Sequence, residues 1–255
     1  MFKGNLLRLG VNIDHIATLR EVRKVSYPDP FESLTVLKKC SVDQVTIHLR
    51  EDRRHIQDQD LRRIVQAKIL PVNLEMAVTE EMVEVASRTP VQICTFVPEK
   101  RREVTTEGGL DVVKNKKKIA AAILKLKKKG CRVSLFIDPQ EKQVRASWDI
   151  EADAVELHTG TYCDILEKIF EKEKKYNFTK REVKKEIIKI RQVATLASFL
   201  GLKVCAGHGL HRKNLHPLVE IPEIEEYNIG HAIIARAVFV GLKNAIREIR
   251  KVLRG

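Results

Sequence analysis

Short runs of apolar, mostly β-branched residues recur along the chain. They are Leu9–Ile13 (LGVNI), Gln44–His48 (QVTIH), Val72–Met76 (VNLEM), Val91–Val97 (VQICTFV), Arg132–Ile137 (RVSLFI), Ala154–His158 (AVELH), Leu202–Ala206 (LKVCA) and Tyr227–Ile234 (YNIGHAII). Between them, TEEMVEVASR, KKIAAAILKLKKKG and KIRQVATLASFLG space their apolar residues as amphipathic helices do. Near-continuous apolar strands alternating with helices predict a parallel sheet covered on its outer face. Eight such units in 255 residues predict a closed α/β barrel, the (β/α)8 TIM barrel with additional helices, as one domain over residues 1–255. The rival, an open doubly wound sheet, calls for a Gly-rich turn after its first strand, where this chain has NIDHIATLR. Gly130 and Gly201 each separate a helical stretch from the next strand, where a left-handed residue closes a helix. Lys168–Arg191 is the least constrained stretch, a long charged helix or helix pair outside the barrel.

Composition narrows the class. Hydrophobic residues make up 44% and charged residues 32%, as in ordinary globular proteins. No apolar run approaches a membrane span, and the start has neither the apolar length nor the cleavage site of a signal peptide. The expectation is a cytoplasmic protein with no membrane partner. Cys40, Cys94, Cys131, Cys163 and Cys205 are scattered without CxxC or Cys/His ligand spacing, so free thiols are expected rather than disulfides or a zinc site. The net charge of +13 collects in lysine runs at 114–118 and 125–129, beside the apolar IAAAIL, and in the 171–189 stretch. Solvated helix faces account for these runs. With 5% aromatics and no RNA-recognition or helix-turn-helix pattern, no nucleic-acid partner is expected. A positive field does favour encounter with anionic substrates.

Candidate chemistry collects at strand ends. His15, His48, His158, His208 and His231 stand at or just past the ends of five strands, which in a barrel converge on the face that carries active sites. Glu75 and Glu156 interrupt apolar strands. Desolvation raises the pKa of such carboxyls and suits them to proton transfer, the alternative being a buried structural ion pair. Gly207-His208-Gly209 and Gly230-His231 fall on the seventh and eighth strands, whose loops often build a phosphate site from backbone amides. Arg20, Arg23, Arg50, Arg53 and Arg54 are guanidinium candidates for a second anion. These features together point to an enzyme acting on small phosphorylated substrates.

NIDHIATLR (12–20), YPDP (27–30), IHLREDRRHI (47–56), NLEMAVTEEM (73–82), VPEKRREVTTEGGLDV (97–112), VSLFID (133–138), ELHTG (156–160), AGHGL (206–210) and NIGHAIIARAVFVGL (228–242) occur in this order. The chain thereby resembles the pyridoxine 5′-phosphate synthase family from about residue 8 to 250. The resemblance implies condensation of 1-deoxy-D-xylulose 5-phosphate with 3-amino-2-oxopropyl phosphate to pyridoxine 5′-phosphate, phosphate and water. Residue by residue, it implies that His48 and Glu75 are general bases, His208 the proton donor and Glu156 a transition-state stabiliser. Asn12, Arg23, Gly209, Gly230 and His231 would hold the aminoketone phosphate. Asp14, His15, Arg50, His55 and Thr105 would hold the deoxyxylulose phosphate. It further implies a lid over 97–112, no cofactor, no metal, and a homo-octamer built from dimers. Cys205 departs from the family's frequent asparagine, and the charged stretch at 171–182 looks longer than usual. The alternative is another phosphate-binding barrel, a lyase or isomerase, which calls for a metal cluster or a Schiff-base lysine. Lys203 is the one lysine in a core strand. A basic nucleic-acid-binding protein is the more distant alternative.

Overall fold

A computed structural model describes residues 7–99, 108–170 and 180–254. Eight strands form a closed parallel barrel in sequence order. They are β1 (Arg8–Asn12), β2 (Gln44–His48), β3 (Val72–Met76), β4 (Ile93–Phe96), β5 (Arg132–Ile137), β6 (Ala154–His158), β7 (Lys203–Gly207) and β8 (Glu226–Ile229). Around them run α1 (Asp14–Arg23), α2 (Ser33–Lys39), α3 (Asp58–Ala67), α4 (Glu80–Arg88), α5 (Val112–Lys127), α6 (Glu141–Asp149), α7 (Gly160–Phe170), α8 (Lys180–Phe199), α9 (His216–Val219), α10 (His231–Val240) and α11 (Leu242–Arg254). Among the described residues, no helix is long and apolar enough to cross a membrane.

The strands carry one set of side chains outward and the other inward. The outward set, including Val11, Ile47, Leu74, Phe96, Leu135, Leu157 and Tyr227, is buried beneath the helices and forms the core. The inward set is mostly polar, with Ile93, Phe136, Ala154 and Cys205 as its apolar members. Gln44 Nε2 donates to Glu226 Oε1 at 2.7 Å, Asn228 Nδ2 donates to Glu156 Oε2 at 2.7 Å, and Arg8 Nε donates to Glu226 Oε2 at 2.8 Å. Thr95 Oγ1 donates to Asn73 Oδ1 at 2.8 Å. These hydrogen bonds hold the barrel interior as well as packing does, although Gln44 Oε1, Thr46 Oγ1 and Ser134 Oγ have no partner among the described residues.

The eighth predicted strand is too long. It ends at Ile229, and His231–Val240 is helical. HAIIARAVFV is apolar on most sides, so its strand and helix readings look alike; Gly230 (φ −115°, ψ −85°) breaks the extended path. Gly130 and Gly201 take φ of +79° and +84°, as helix-closing residues do. The charged stretch resolves into α7 and α8, with residues 171–179 outside the described set. All five cysteines are free, three of them buried. Lys203 opens β7, at the barrel end opposite to where the histidines gather.

Candidate active site

β1 ends in Asn12, and α1 starts directly after Ile13. Asn12 Oδ1 accepts the Asp14 amide at 2.9 Å, and its Nδ2 donates to Asp14 Oδ2 at 2.7 Å and to Glu75 Oε2 at 3.4 Å. Asp14 Oδ1 in turn accepts the His48 amide at 2.8 Å. The β2–β3 register sets His48 beside Glu75. Three strand ends thus bring two carboxylates and an imidazole into one knot. Asp14, His48 and Glu75 each offer a ligand atom within 4.8 Å of the others, so this set has the spacing to hold a divalent cation.

The electrostatics favour a held proton on Glu75. Burial, the nearby Glu156 and Asp14 together push its carboxyl well above the ordinary range, and the Asn12 bond offsets only part. Glu156, inside β6, is raised to about 8 by burial, opposed by the Asn228 hydrogen bond and reinforced by Glu226. Gly207 lies alongside, and a Cβ there would overlap Glu156 Oε1. These are proton-carrying carboxyls of the kind general acid–base chemistry at neutral pH requires.

His48 is anchored by a residue that the sequence did not single out. Its Nε2 lies 2.8 Å from Glu99 Oε1. Glu99 also accepts the amides of Ala77 at 3.2 Å and Glu51 at 3.1 Å. Burial works to raise the Glu99 carboxyl, but His48, the Glu51 amide and Arg50 outweigh it and hold it low. Arg50 is buried beside this group, and His55 sits with its ring 6.0 Å from that of His48. Burial lowers the pKa of His55.

Across the barrel mouth, His15 and His231 approach to 5.0 Å between ring centroids. Burial and then His231 lower the pKa of His15. His231 opens α10 behind Gly230, and among the described residues no side chain caps that helix, so its first amides are available to an anion. At the end of β7, His208 and Gly209 both adopt left-handed backbone, φ +78° and +74°. For a histidine this is a strained position, and Thr159 secures it by donating to the Gly207 and His208 carbonyls at 2.8 and 2.6 Å. Burial and the neighbouring His158 push His208 down to about 4.

Of the residues expected at the site, Asn12, Asp14, His15, His48, Arg50, His55, Glu75, Glu156, His208, Gly209, Gly230 and His231 all lie at this end of the barrel or just inside it. Arg23 does not join them. It is exposed in the last turn of α1, nine residues beyond Asp14 and so about 13 Å along the helix axis. Thr105 and most of the expected lid lie outside the described residues. Besides Glu99, sequence reasoning passed over Asp138. Each carboxylate stands one to three residues past its strand, within VPEK and LFID, where nothing in the sequence sets it apart from a solvated loop residue.

Residues 9–255 match the family model described as Pyridoxal phosphate biosynthesis protein PdxJ. A pyridoxine 5′-phosphate synthase of Nautilia profundicola is 46% identical, covering 98% of this chain and all of its own. One from Magnetococcus marinus is 45% identical, covering 98% of each chain. Among solved structures, the phosphoribosylanthranilate isomerase of Thermotoga maritima superposes with a TM-score of 0.59 at 11% identity, covering 98% of this chain and 99% of its own. A thiamine phosphate pyrophosphorylase of Pyrococcus furiosus gives 0.60 at 11%, covering 98% and 96%. These two likenesses show the barrel fold alone.

Proposed function

The chain belongs to the PdxJ family of pyridoxal phosphate biosynthesis proteins, and on that premise we propose that it is a pyridoxine 5′-phosphate synthase. It condenses 3-amino-2-oxopropyl phosphate with 1-deoxy-D-xylulose 5-phosphate, releasing pyridoxine 5′-phosphate, inorganic phosphate and water. The observation that carries this reading is the Asn12–Asp14–His48–Glu75 knot at the strand ends, with a proton-holding Glu75 at its centre. Amine and ketone form an imine, water and phosphate leave, water adds back, and an aldol-like step closes the ring. Every stage moves protons.

In this mechanism Glu75 shuttles protons, giving up the one it holds and then taking one back, His48 takes protons, Glu156 stabilises the charge that develops in the transition state, and His208 returns a proton to the leaving oxygen. The aminoketone phosphate binds at Asn12, Gly209, Gly230 and His231, where the uncapped start of α10 supplies amides. The deoxyxylulose phosphate binds at Asp14, His15, Arg50 and His55, with Thr105 from the lid. No cofactor, metal, nucleic acid or membrane takes part, and the whole chain acts as one domain in the cytoplasm.

The same reading assigns Arg23 to substrate and the chain to a homo-oligomer. Leu19 and Val22 on α1, and Val238 and Phe239 on the adjoining α10, are 53%, 75%, 72% and 82% exposed. An assembly covering this face would bury them and set Arg23 against another chain.

The test is a coupled assay of the purified protein with both phosphorylated substrates. Pyridoxine 5′-phosphate and inorganic phosphate are expected in equal amounts, and Glu75→Gln is expected to lose both. Folded wild-type protein that forms neither product would refute the assignment.

A further inference from the structure

Arg247, Arg250, Lys251 and Arg254 recur at i, i+3, i+4 and i+7 along α11, which sets four cations on one stripe of the helix. Like charges at these spacings repel. The same helix pairs its acidic residue elsewhere, Glu248 lying 2.8 Å from Arg236 of α10. Facing the cationic stripe is the end of α2, where Lys39 adds a fifth cation. These five residues, with Cys40 and Ser41, line a cleft of about 450 Å³. Among the described residues, neither a carboxylate nor an aromatic ring lines it. Lys39, Arg247, Lys251 and Arg254 are exposed, and among the described residues none of them has an acidic partner.

Arg250 is the buried member, its side chain 9% exposed. Nη1 donates to the Leu7 carbonyl at 3.1 Å, and Nη2 donates to the Ser41 carbonyl and, at 2.6 Å, to Asp43 Oδ2. Asp43 Oδ2 also accepts the Leu9 amide at 2.8 Å. The guanidinium thus ties the chain before β1 to the chain before β2, at the barrel end opposite the histidines. Its Nε is buried and has no partner among the described residues. A charged donor left unsatisfied out of water is costly, and an anion seated in the cleft would relieve it.

Helix dipoles account for part of the cluster. Lys39, Lys251 and Arg254 stand in the last turns of α2 and α11, whose carbonyl ends attract cations. The dipoles do not account for Arg247, or for five cations sharing one recess without a carboxylate. We propose that this cleft binds the oligophosphate group of a small soluble ligand, as an anion site remote from the active site. A lone phosphate spans two or three of the cations, whereas linked phosphates have the length and charge to engage most of them. With no ring to stack on, an attached nucleoside adds little. The proposal does not depend on the synthase reading.

Inorganic tripolyphosphate is the probe, titrated calorimetrically into the full-length protein. Wild type is expected to bind it at least about tenfold more tightly than orthophosphate, about as tightly as ATP, and more weakly as salt is added. The double variant Arg247→Glu with Lys251→Glu should weaken binding at least about tenfold. Lys117→Glu with Lys129→Glu makes the same change of net charge at exposed positions of α5 and its end. That control should bind within about twofold of wild type. Any tripolyphosphate taken up by the active site persists in both variants, so loss in the α11 variant alone identifies the cleft. A neutral pair, Arg247→Gln with Lys251→Gln, covers the case in which the glutamates prevent folding. Without probe it should melt at or above the wild-type Tm, because repulsion is relieved. With probe at about a hundred times its Kd, wild type should gain about 5 °C or more and the neutral pair less than half of that. Equal binding by wild type and the α11 variants, equal weakening in the α5 control, or no binding by wild type would each overturn the proposal.

Discussion

Glu156→Gln separates the energetic burden of a buried carboxyl from its catalytic use. Glu156 is 3% exposed inside the barrel, with Asn228 donating to it at 2.7 Å. Burial raises its carboxyl from 4.5 to about 8 against the opposing pull of Asn228. A folded pKa above the unfolded one means that the native state favours the protonated form. Stability from this group is therefore full below pH 4.5 and is lost as pH rises toward 8. At about 1.36 kcal/mol per unit, the loss is roughly 3 kcal/mol by pH 7 and roughly 5 kcal/mol by pH 9. Glutamine has no such proton to lose, and its amide oxygen still accepts from Asn228. Urea unfolding at pH 5, 7 and 9, followed by circular dichroism, should show the variant gaining on wild type by about 4 kcal/mol across the range. Glu156 also helps to raise Glu75, so the acid limb of the residual rate profile should move to lower pH. Parallel stability curves for the two proteins would refute the reasoning, because they would mean that Glu156 ionises in the barrel as easily as in water.

Gly207→Ala places a Cβ onto Glu156 Oε1. It should cost about 1–3 kcal/mol in thermal unfolding and depress kcat by displacing that carboxyl. Glu99→Gln keeps a hydrogen bond to His48 but not the charge. Because Glu99 is held below the usual carboxylate range, wild type should be the more stable protein above about pH 4.5, its advantage vanishing as pH falls, and kcat should drop about tenfold in steady-state assays. The Asp14–His48–Glu75 set has the spacing of a cation site, yet proton transfer is its proposed use. Exhaustive treatment with a chelator should leave kcat unchanged, and a loss restored by a divalent ion would reassign the knot.

The strands were legible because a barrel strand is covered on its outer face and so reads as an apolar run, with its chemistry where the run stops. Asn12, His48 and Glu75 could be picked out on that ground. Glu99 and Asp138 could not, since a carboxylate just past a strand looks like any solvated loop residue. Only the fold shows that they close on His48 and His158. The far end of β8 was misread because α10 is apolar on most of its surface, which erases the difference in periodicity on which the two readings depend. Arg23 illustrates another limit. Its motif is continuous with Asp14 and His15, but helical rise carries it away from them.

The polar filling of the barrel constrains how this protein can drift over generations. Outside the sheet, one aliphatic residue can replace another of similar volume and the helices will shift to suit. Inside, Gln44, Glu226, Asn228 and Glu156 form a chain in which each acceptor presumes a particular donor. A single exchange strands its neighbour, so viable changes come in matched pairs. Across relatives these four positions should therefore vary together, while the outward-facing aliphatics vary one at a time.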